Sequence, residues 1–545
     1  MSTMIKTLKL LRFTVPCMAT VITTACGGGG GSGGSPPVTT YTVSATAGTG
    51  GSISPSSTTV NAGGTTTFTV TPNSGYVISS VTGCGGSLSG NTYTTMTTNA
   101  SCTVTASFSA AFTWVSGSDT ADAVGVYGTQ GVAANSNVPG GRHGPITWTD
   151  SAGDLWLYGG YGVGSPILND MWKYSPSSGQ WTWVSGSDTP DATAVYGTLG
   201  VAAATNTPGA LGSSAYSWTD ASGNVWVFGG YGYDSTGTRG WLNALWKYSP
   251  TSGLWTWSGG STTNGALAVY GTQGVAAATN FPGARAGGGW KDSDGNVWLF
   301  GAYGYDSTGT LGSLNDLWKY SPSSQQWTWV GGSNTVNARG VYGTQGVAAT
   351  TNVPGARYSG PTWTDASGNL WLFGGIGYDS AGNQGSLNDL WEYSPSTGMW
   401  TWVGGSNTVN AKGVYGTQGV AAATNVPGAR YGTTSWVDAA GNLWLFAGAE
   451  YDSAGTANSL NDLWKYSPSS QQWTWIGGSN TVNATGVYGT QGVASATNVP
   501  GARDSMITWT DVGGNVWLFG GEGLNPTGAD PNAAEWNDLW KFPTQ

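Results

Sequence analysis

One motif, repeated six times, constrains the fold of this chain more than any other feature. Asn-Asp-Leu-Trp-Lys-Tyr and its close variants place Trp at 172, 246, 318, 391, 464 and 540, so successive copies are 72 to 76 residues apart. Each repeat holds four strand-like segments, a to d, which in the fourth repeat are residues 361–365, 370–375, 387–395 and 399–405. Short turns join a to b and c to d, a longer Gly-rich loop joins b to c, and no segment has the 3.6-residue period of a helix. The repeat therefore predicts an all-β fold.

The composition excludes several other classes of protein. Gly accounts for 92 of the 545 residues and Trp for 31, while only 8% of residues are charged. Collagen needs Gly at every third position, and long helices need more Ala, Glu, Lys and Leu. The high aromatic content opposes disorder. Gly-rich turns with many aromatic residues are typical of an all-β protein.

The ends of the repeat region predict a closed ring. Residues 112–115 (Phe-Thr-Trp-Val) read as a segment d with no repeat before it, whereas the sequence stops after segment c of the sixth repeat. Pairing of these two segments would complete the sixth unit and hide the sheet edges that an open array exposes. The sequence therefore predicts a six-bladed β-propeller over residues 111–545, closed by the strand at 112–115.

Three sets of residues carry a resemblance to a known family. Segment b ends in a Gly pair in four repeats, and segment d carries a regularly placed Trp. The Gly pairs are 159–160, 229–230, 374–375 and 520–521, and the segment-d residues are Trp183, Trp257, Trp329, Trp402 and Trp475. Together with the segment-c Trp residues, they resemble the kelch-type β-propeller, the architecture of the galactose oxidase central domain. The repeats exceed the usual kelch length of about 50 residues, and the excess lies between segments d and a, as in residues 406–430.

The N-terminus predicts export. Residues 1–25 have the parts of a secretory signal, namely three basic residues followed by an apolar stretch. Ala25-Cys26 resembles a bacterial lipoprotein cleavage site, in which the Cys takes the lipid; ordinary cleavage near Ala25 is the alternative. The Gly, Ser and Pro residues of 26–39 predict a flexible linker. We expect a lipoprotein of the bacterial outer membrane or cell surface, or a secreted protein, that contacts a membrane only through a lipid on Cys26.

Residues 40–110 predict a small β-rich domain. Thr and Val alternate in short runs between Gly-rich turns, and the domain has no Lys, Arg, Asp or Glu. The stretch 50–108 resembles the divergent internalin B-repeat, which implies a spacer on a surface protein; weak binding is the alternative. Cys84 and Cys102 remain once the signal and the lipid site are removed. In an exported chain such a pair predicts a disulfide.

Charge excludes one class of partner. After residue 118 the chain has 14 basic and 27 acidic residues, a net charge of −13. An acidic body without a basic stripe repels a phosphate backbone, so nucleic acid is not an expected partner.

The sequence also opposes most metal and nucleophile chemistry. Copper-radical oxidases of the galactose oxidase type need His ligands and a Cys crosslinked to Tyr, whereas this chain has one His, His143, and no Cys after Cys102. The lack of a His/Cys cluster also opposes zinc, and no G-x-S-x-G elbow accompanies His143. Calcium could bind Asp292 and Asp294 or the repeated Tyr-Asp-Ser loops, but Asx-turns explain these residues more simply. The loop residues are Asp234, Asp306, Asp379 and Asp452. No metal or cofactor is expected.

Arg opens segment a in five repeats, and Asp completes the Asn-Asp motif in the same five. Both are missing from the second repeat, which has Leu211 and Ala244. Their joint loss predicts an Arg–Asp ion pair in each of the other units, structural rather than catalytic. The predicted pairs are Arg142–Asp170, Arg285–Asp316, Arg357–Asp389, Arg430–Asp462 and Arg503–Asp538.

Four ionisable residues break the repeat pattern. His143 and Asp504 follow the segment-a Arg, and Glu450 and Glu522 follow segment b. They belong to the fifth, sixth and first repeats, which become neighbours when the ring closes. Such residues suit the binding of a cation or sugar, or acid–base hydrolysis. Drift on a solvent-facing loop surface is the simpler interpretation.

These features favour a binding protein. In a four-stranded blade the d–a and b–c connections emerge on one face, and both are long here, so a glycan or protein ligand is expected on that face. A carbohydrate-active hydrolase or lyase that uses His143, Glu450, Asp504 and Glu522 is the rival interpretation. A structural envelope protein is a third. The chain is expected to be a monomer.

Overall fold

The computed structural model describes residues 38–212, 215–523 and 534–544. The predicted signal peptide (1–25), the lipidation site Cys26 and most of the linker 26–39 lie outside the described residues. Within the described ranges the regular elements are all β-strands. No helix in these ranges is long and apolar enough to cross a membrane.

Eight strands form the N-terminal domain. They are β1 (Thr40–Ala47), β2 (Gly51–Ser54), β3 (Ser57–Asn61), β4 (Thr67–Pro72), β5 (Tyr76–Thr82), β6 (Ser87–Ser89), β7 (Thr92–Thr94) and β8 (Cys102–Ala110). Two four-stranded sheets result, ordered β3-β1-β8-β5 and β2-β4-β7-β6. Because side chains alternate along a strand, the inward positions build one core around Val43, Phe68, Val70 and Val104. A disulfide joins Cys84 to Cys102, whose Cα atoms lie 5.6 Å apart.

The remaining strands pair antiparallel within each repeat, and we call the strands of the six repeats sheets I to VI. In sheets III to V they form one five-stranded sheet each, whereas in sheets I, II and VI two or three short strands pair apart from a four-stranded sheet. The first strand is β9 (Thr113–Ser116). Sheet I has β10 (Arg142–His143), β11 (Ile146–Thr149), β12 (Leu155–Tyr158), β13 (Tyr161–Gly162), β14 (Met171–Ser175) and β15 (Gln180–Ser185). Sheet II has β16 (Tyr216–Thr219), β17 (Val225–Phe228), β18 (Tyr231–Tyr233), β19 (Arg239–Trp241), β20 (Leu245–Ser249) and β21 (Leu254–Gly259).

Sheets III to VI follow in chain order. Sheet III has β22 (Arg285–Ala286), β23 (Gly289–Lys291), β24 (Val297–Tyr305), β25 (Leu311–Ser321) and β26 (Gln326–Gly331). Sheet IV has β27 (Arg357–Tyr358), β28 (Thr362–Thr364), β29 (Leu370–Tyr378), β30 (Gln384–Ser394) and β31 (Met399–Gly404). Sheet V has β32 (Arg430–Tyr431), β33 (Thr434–Val437), β34 (Leu443–Tyr451), β35 (Ala457–Ser467) and β36 (Gln472–Gly477). Sheet VI has β37 (Arg503–Asp504), β38 (Ile507–Thr510), β39 (Asn515–Phe519), β40 (Glu522–Gly523), β41 (Ala534–Glu535) and β42 (Leu539–Pro543).

Segments a to d are neighbours within each sheet, as in the order β11-β12-β14-β15 of sheet I. Segment a is divided into two pieces in five sheets, which the sequence did not predict. The cause is a left-handed residue between the pieces in four of them, such as Gly144 at φ +60° or Ser505 at φ +53°. The first piece pairs separately, so it stands apart at one end of the sheet.

Neighbouring sheets pack face to face through broad aromatic cores. Between sheets I and II, Trp148 and Trp156 pack with Val225 and Tyr248. Sheets VI and I share a similar core, and Trp509 Nε1 donates a 2.7 Å hydrogen bond to the Trp156 carbonyl across that junction. Equivalent cores join the other neighbouring sheets. The arrangement fits a β-propeller preceded by a small β domain.

The strand that follows the N-terminal domain pairs with the last strand of the chain. In the register of β9 and β42, Thr113 lies opposite Lys541 and Trp114 opposite Trp540. Sheet VI thus obtains its fourth strand from the other end of the repeat region. Phe112 lies just before this strand rather than in it, and its ring packs 4.8 Å from that of Phe542.

The Gly pairs at the end of segment b mark a close backbone approach. Gly159 and Gly160 have φ of +69° and +95°, and a Cβ on Gly159 would lie 2.5 Å from the Leu211 carbonyl oxygen of sheet II. Glycine meets both demands without strain. Sheets III and V use Ala302 (φ 108°) and Ala447 (φ 61°) at these positions and hold a disfavoured conformation instead.

Candidate functional site

The structure places each of the five Arg–Asp pairs inside one sheet. In sheet IV, Arg357 Nη1 lies 2.6 Å from Asp389 Oδ1 and Nη2 lies 2.7 Å from Oδ2. Both side chains are at most 1% exposed. The Nη1–Oδ1 distances in sheets I, III, V and VI are 2.6, 2.8, 2.7 and 2.6 Å. Each contact ties the start of segment a to segment c by a charge-assisted hydrogen bond.

Each pair belongs to a larger buried network. Asp389 Oδ2 also accepts hydrogen bonds from Tyr342 Oη at 2.5 Å and from Trp391 Nε1 at 2.7 Å. Arg357 Nη1 donates to the carbonyl of Gly374, the first member of the Gly pair. The network therefore fixes the start of segment a and the end of segment b together. The residues that follow these two points are held in a defined geometry.

Three positions of each repeat lie side by side at the end of the sheets where segment a begins and segment b ends, and we call them the axial rim. They are the residue after the segment-a Arg, the residue after the Gly pair, and the residue two before the Asn of the Asn-Asp motif. Taken in order from sheet I to sheet VI, the residues at the first position are His143, Gly212, Ala286, Tyr358, Tyr431 and Asp504. Those at the second position are Tyr161, Tyr231, Tyr303, Ile376, Ala449 and Glu522. Those at the third position are Ile167, Trp241, Ser313, Ser386, Ser459 and Glu535. Strand register places them opposite one another, as with Asp504, Glu522 and Glu535 in sheet VI.

Backbone hydrogen bonds connect the rim between neighbouring sheets. Gly144 N–H donates to the Ser505 carbonyl at 3.2 Å, and Ser505 N–H donates to the Gly432 carbonyl at 2.7 Å. Gly432 N–H in turn donates to the Ser359 carbonyl at 3.1 Å. The first rim positions of sheets I, VI, V and IV are therefore adjacent around the ring.

Acidic residues gather around the only His of the chain, at the junction of sheets VI and I. His143 Nδ1 lies 2.8 Å from Glu535 Oε1 and 3.7 Å from Glu522 Oε2. The His143 ring stacks on Tyr161, with centroids 5.0 Å apart and planes at 22°, which fixes its orientation. We call His143, Asp504, Glu522 and Glu535 the acidic cluster.

Burial and mutual repulsion control the protonation of this cluster. Burial raises the pKa of Asp504 to about 7, and the charges of Glu522 and Glu535 add to the effect. Burial also raises the pKa of Glu535, although its hydrogen bond to His143 opposes the shift. Burial alone would lower the pKa of His143, but the bond to Glu535 and the nearby carboxylates raise it overall. Such shifts are typical of binding and catalytic sites.

The part of the axial rim that begins at Tyr161, beside the acidic cluster, and continues through sheets II to IV is aromatic. The Arg239 guanidinium lies over the rings of both Tyr161 and Tyr231, at 5.6 and 5.1 Å from their centroids. From Tyr231 the contacts continue to Trp241 at 4.6 Å and then to Tyr303 at 5.6 Å. Tyr303 contacts Tyr358 at 5.3 Å, and all five rings are partly exposed. We call the five rings, from Tyr161 to Tyr358, the aromatic arc.

Three of the four predicted ionisable residues come together, and the fourth is offset. Glu450 occupies the position next to the rim, where the other sheets have Gly, and Ala449 takes the place equivalent to Glu522. Its φ of 128° is disfavoured for a residue with a side chain. Burial raises the pKa of Glu450. Burial also raises the pKa of Tyr431 to about 12, and the charges of Asp504 and Glu450 add to that shift. Glu450 therefore lies near the acidic cluster, but it is one position away from the residue that corresponds to Glu522.

Sequence reasoning missed Glu535 and the aromatic arc. The signal for Glu535 was present, because the other repeats have Ile, Trp or Ser at that position. The arc was missed because Trp and Tyr occur throughout the repeats as core residues. Only the strand register distinguishes the rim aromatics from those packed between sheets.

Apart from Asp294, the Asp residues considered for calcium accept turn hydrogen bonds. Asp234 Oδ1 accepts from the N–H groups of Thr236 and Thr238, and Oδ2 accepts from the N–H of Asn264. Asp292 Oδ1 likewise accepts from the N–H of Asp294. Carboxylates that face several N–H groups in this way form Asx-turns, and these bonds lower the pKa of Asp234 although its burial opposes them.

One comparison with known proteins identifies part of the chain. A family model described as the divergent InlB B-repeat domain matches residues 41–112. The match confirms the predicted resemblance of the N-terminal domain. No curated protein matches the chain.

Proposed function

We propose that this chain is an exported, six-bladed, kelch-type β-propeller that binds a glycan at its axial rim. The aromatic arc is the observation that carries the proposal. Its partly exposed aromatic rings, with the Arg239 guanidinium between Tyr161 and Tyr231, offer flat apolar faces to the apolar faces of sugar rings. The carboxylates of the acidic cluster and the Arg239 guanidinium supply hydrogen-bonding groups for sugar hydroxyls.

Variation among the repeats supports this choice of surface. The motif around segment c is almost identical in all six repeats, whereas each of the three rim positions carries four or more residue types. If the rim served only to close the ring, the same residue could occupy each rim position in all six repeats. Their divergence gives the rim an asymmetric surface, which suits one oriented ligand.

A glycan array probed with the purified protein tests the proposal, followed by calorimetry with the best ligand. Trp241→Ala and Tyr303→Ala should each weaken binding at least about tenfold, as loss of a buried aromatic contact does. Tyr41→Ala, which removes a half-buried Tyr from the N-terminal domain, serves as the matched control. Retention of full affinity by both rim variants would refute the site.

Hydrolysis of the bound glycan is a second candidate function, favoured by the raised pKa of Asp504. A carboxyl group with a pKa of about 7 beside the Glu522 carboxylate suits a general acid paired with a base. Release of reducing sugar from the array ligand should then fall at least about a hundredfold in Asp504→Asn. Binding without any release of reducing sugar would contradict hydrolysis and leave glycan binding as the only proposed function.

Export and a lipid anchor on Cys26 complete the proposal. The Cys84–Cys102 disulfide is consistent with an oxidising compartment. Replacement of Cys26 by Ala should move the expressed protein from the membrane fraction to the soluble fraction of the envelope. A Cys26→Ala protein that stays with the membrane would contradict lipid attachment at this residue.

The six-blade architecture depends on closure by β9. A chain that begins at residue 119 lacks this strand and leaves one edge of β42 unpaired, whereas a chain that begins at residue 111 keeps it. We expect the shorter chain to melt earlier or aggregate. Equal melting temperatures would contradict the proposed closure.

A further inference from the structure

The acidic cluster contains a group of atoms with the spacing of metal ligands. His143 Nδ1, one oxygen of Glu522 and one oxygen of Glu535 all lie within 4.8 Å of one another. They come from β10, β40 and β41, so the group joins sheets I and VI. Zn²⁺ binds imidazole nitrogen and carboxylate oxygen at about 2.0–2.2 Å, which places tetrahedral ligands about 3.4 Å apart. The measured separations of 2.8 and 3.7 Å from Nδ1 bracket this value.

A second, independent observation concerns Glu535. This residue is 5% exposed, yet its Oε2 has no hydrogen-bond partner among the residues that the structure describes. An ionised carboxylate is costly to bury with an oxygen unsatisfied, and a bound cation would remove that cost. Its other oxygen already faces His143, so the unsatisfied carboxylate belongs to the group itself.

The net negative charge of the acidic cluster also favours a bound cation. Three carboxylates, from Asp504, Glu522 and Glu535, surround a single imidazole. Arg503 precedes Asp504 in the chain, but its guanidinium is committed to Asp538 at 2.6 Å. The cluster therefore keeps excess negative charge at a partly buried place, where a divalent cation is favoured.

We propose that His143, Glu522 and Glu535 bind one divalent transition-metal ion of the Zn²⁺ class. The imidazole ligand favours such an ion over Ca²⁺ or Mg²⁺, which prefer oxygen ligands alone. Binding replaces the hydrogen bond between Nδ1 and Oε1 with bonds from both atoms to the metal, and the Nδ1 proton passes to solvent. Three protein ligands leave a coordination position for water, adjacent to the aromatic arc.

The full-length protein, stripped of metal and titrated with Zn²⁺ in the absence of any glycan, tests this site independently of the proposed function. We expect one Zn²⁺ per chain by calorimetry and elemental analysis. Glu535→Gln and His143→Ala should each weaken Zn²⁺ binding by at least tenfold. Glu450→Gln, which removes a neighbouring acid outside the group, should bind Zn²⁺ with unchanged affinity.

X-ray absorption at the zinc edge identifies the ligands directly. One imidazole nitrogen and oxygen neighbours at about 2.0–2.2 Å would support the site. Sulfur neighbours would place the zinc on Cys17 or Cys26 and overturn the proposal. So would Zn²⁺ affinity that is unchanged in Glu535→Gln, or equal affinity for Ca²⁺. Glu535→Gln is nearly isosteric, so it still decides the question if His143→Ala fails to fold.

Discussion

Sheets II and IV solve the same packing problem in two ways. In sheet IV the point where segment a meets segment c holds the buried ion pair Arg357–Asp389. In sheet II the same point holds Leu211 and Ala244, which are 1% and 2% exposed and belong to one hydrophobic core. Both sheets keep the Gly pair and the strand order. The ion pair is therefore dispensable for the architecture when both partners are replaced by apolar residues.

The replacement in sheet II leaves one polar group behind. Tyr196 is the counterpart of Tyr342, but its buried hydroxyl has no hydrogen-bond partner within the described part of the chain. Tyr342 donates to Asp389 at 2.5 Å. An unpaired buried hydroxyl costs about 1–3 kcal/mol. Sheet II thus indicates that the members of the network depend on one another. Loss of some members lowers stability because those that remain lose their hydrogen-bond partners.

The largest expected effect is the loss of one partner in sheet IV. Arg357→Leu leaves the Asp389 carboxylate buried without its counter-ion, which should lower the free energy of unfolding by about 3–5 kcal/mol. Urea unfolding followed by Trp fluorescence measures the change. A loss below about 1 kcal/mol would show that water or a rearranged side chain compensates the carboxylate.

Replacement of both partners should have a smaller effect. Arg357→Leu combined with Asp389→Ala copies the pair found in sheet II, and no buried charge remains uncompensated. We expect the double variant to be more stable than Arg357→Leu alone, by about 1–3 kcal/mol. If the losses in the free energy of unfolding from the two single changes simply add in the double variant, then sheet II is not a valid guide to sheet IV.

The smallest expected effect is that of Tyr196→Phe, which we compare with the matching change in sheet IV. Tyr342→Phe removes a hydrogen bond to a charged acceptor and should cost about 1.5–3 kcal/mol. Tyr196→Phe removes a hydroxyl that has no partner and should be neutral or slightly stabilising. The same unfolding experiment compares them, and equal losses would mean that Tyr196 has a partner in solution.

The sequence predicted the parts of the fold that repeat. The strands, the Arg–Asp pairs and the pairing of the first segment with the last all follow from comparing six copies of one pattern. The rim was harder to predict, because its properties depend on which residues lie opposite each other across strands. Glu535 stands 13 positions from Glu522 in the sequence but directly opposite it in the register. The division of segment a depends on single left-handed residues such as Ser505, which propensity does not reveal.

The pairing of β9 with β42 has a consequence for the order of events during synthesis. Contacts across this seam join residues 419 positions apart, such as Ser118 and Asn537. Closure of so long a loop is slow and must wait until the last strand has left the ribosome. The N-terminal domain has its own core and can fold at once, while the ring stays open beside it. Until then the seam cannot form, because one of its two strands is missing, and the ring is completed only as the last step of folding.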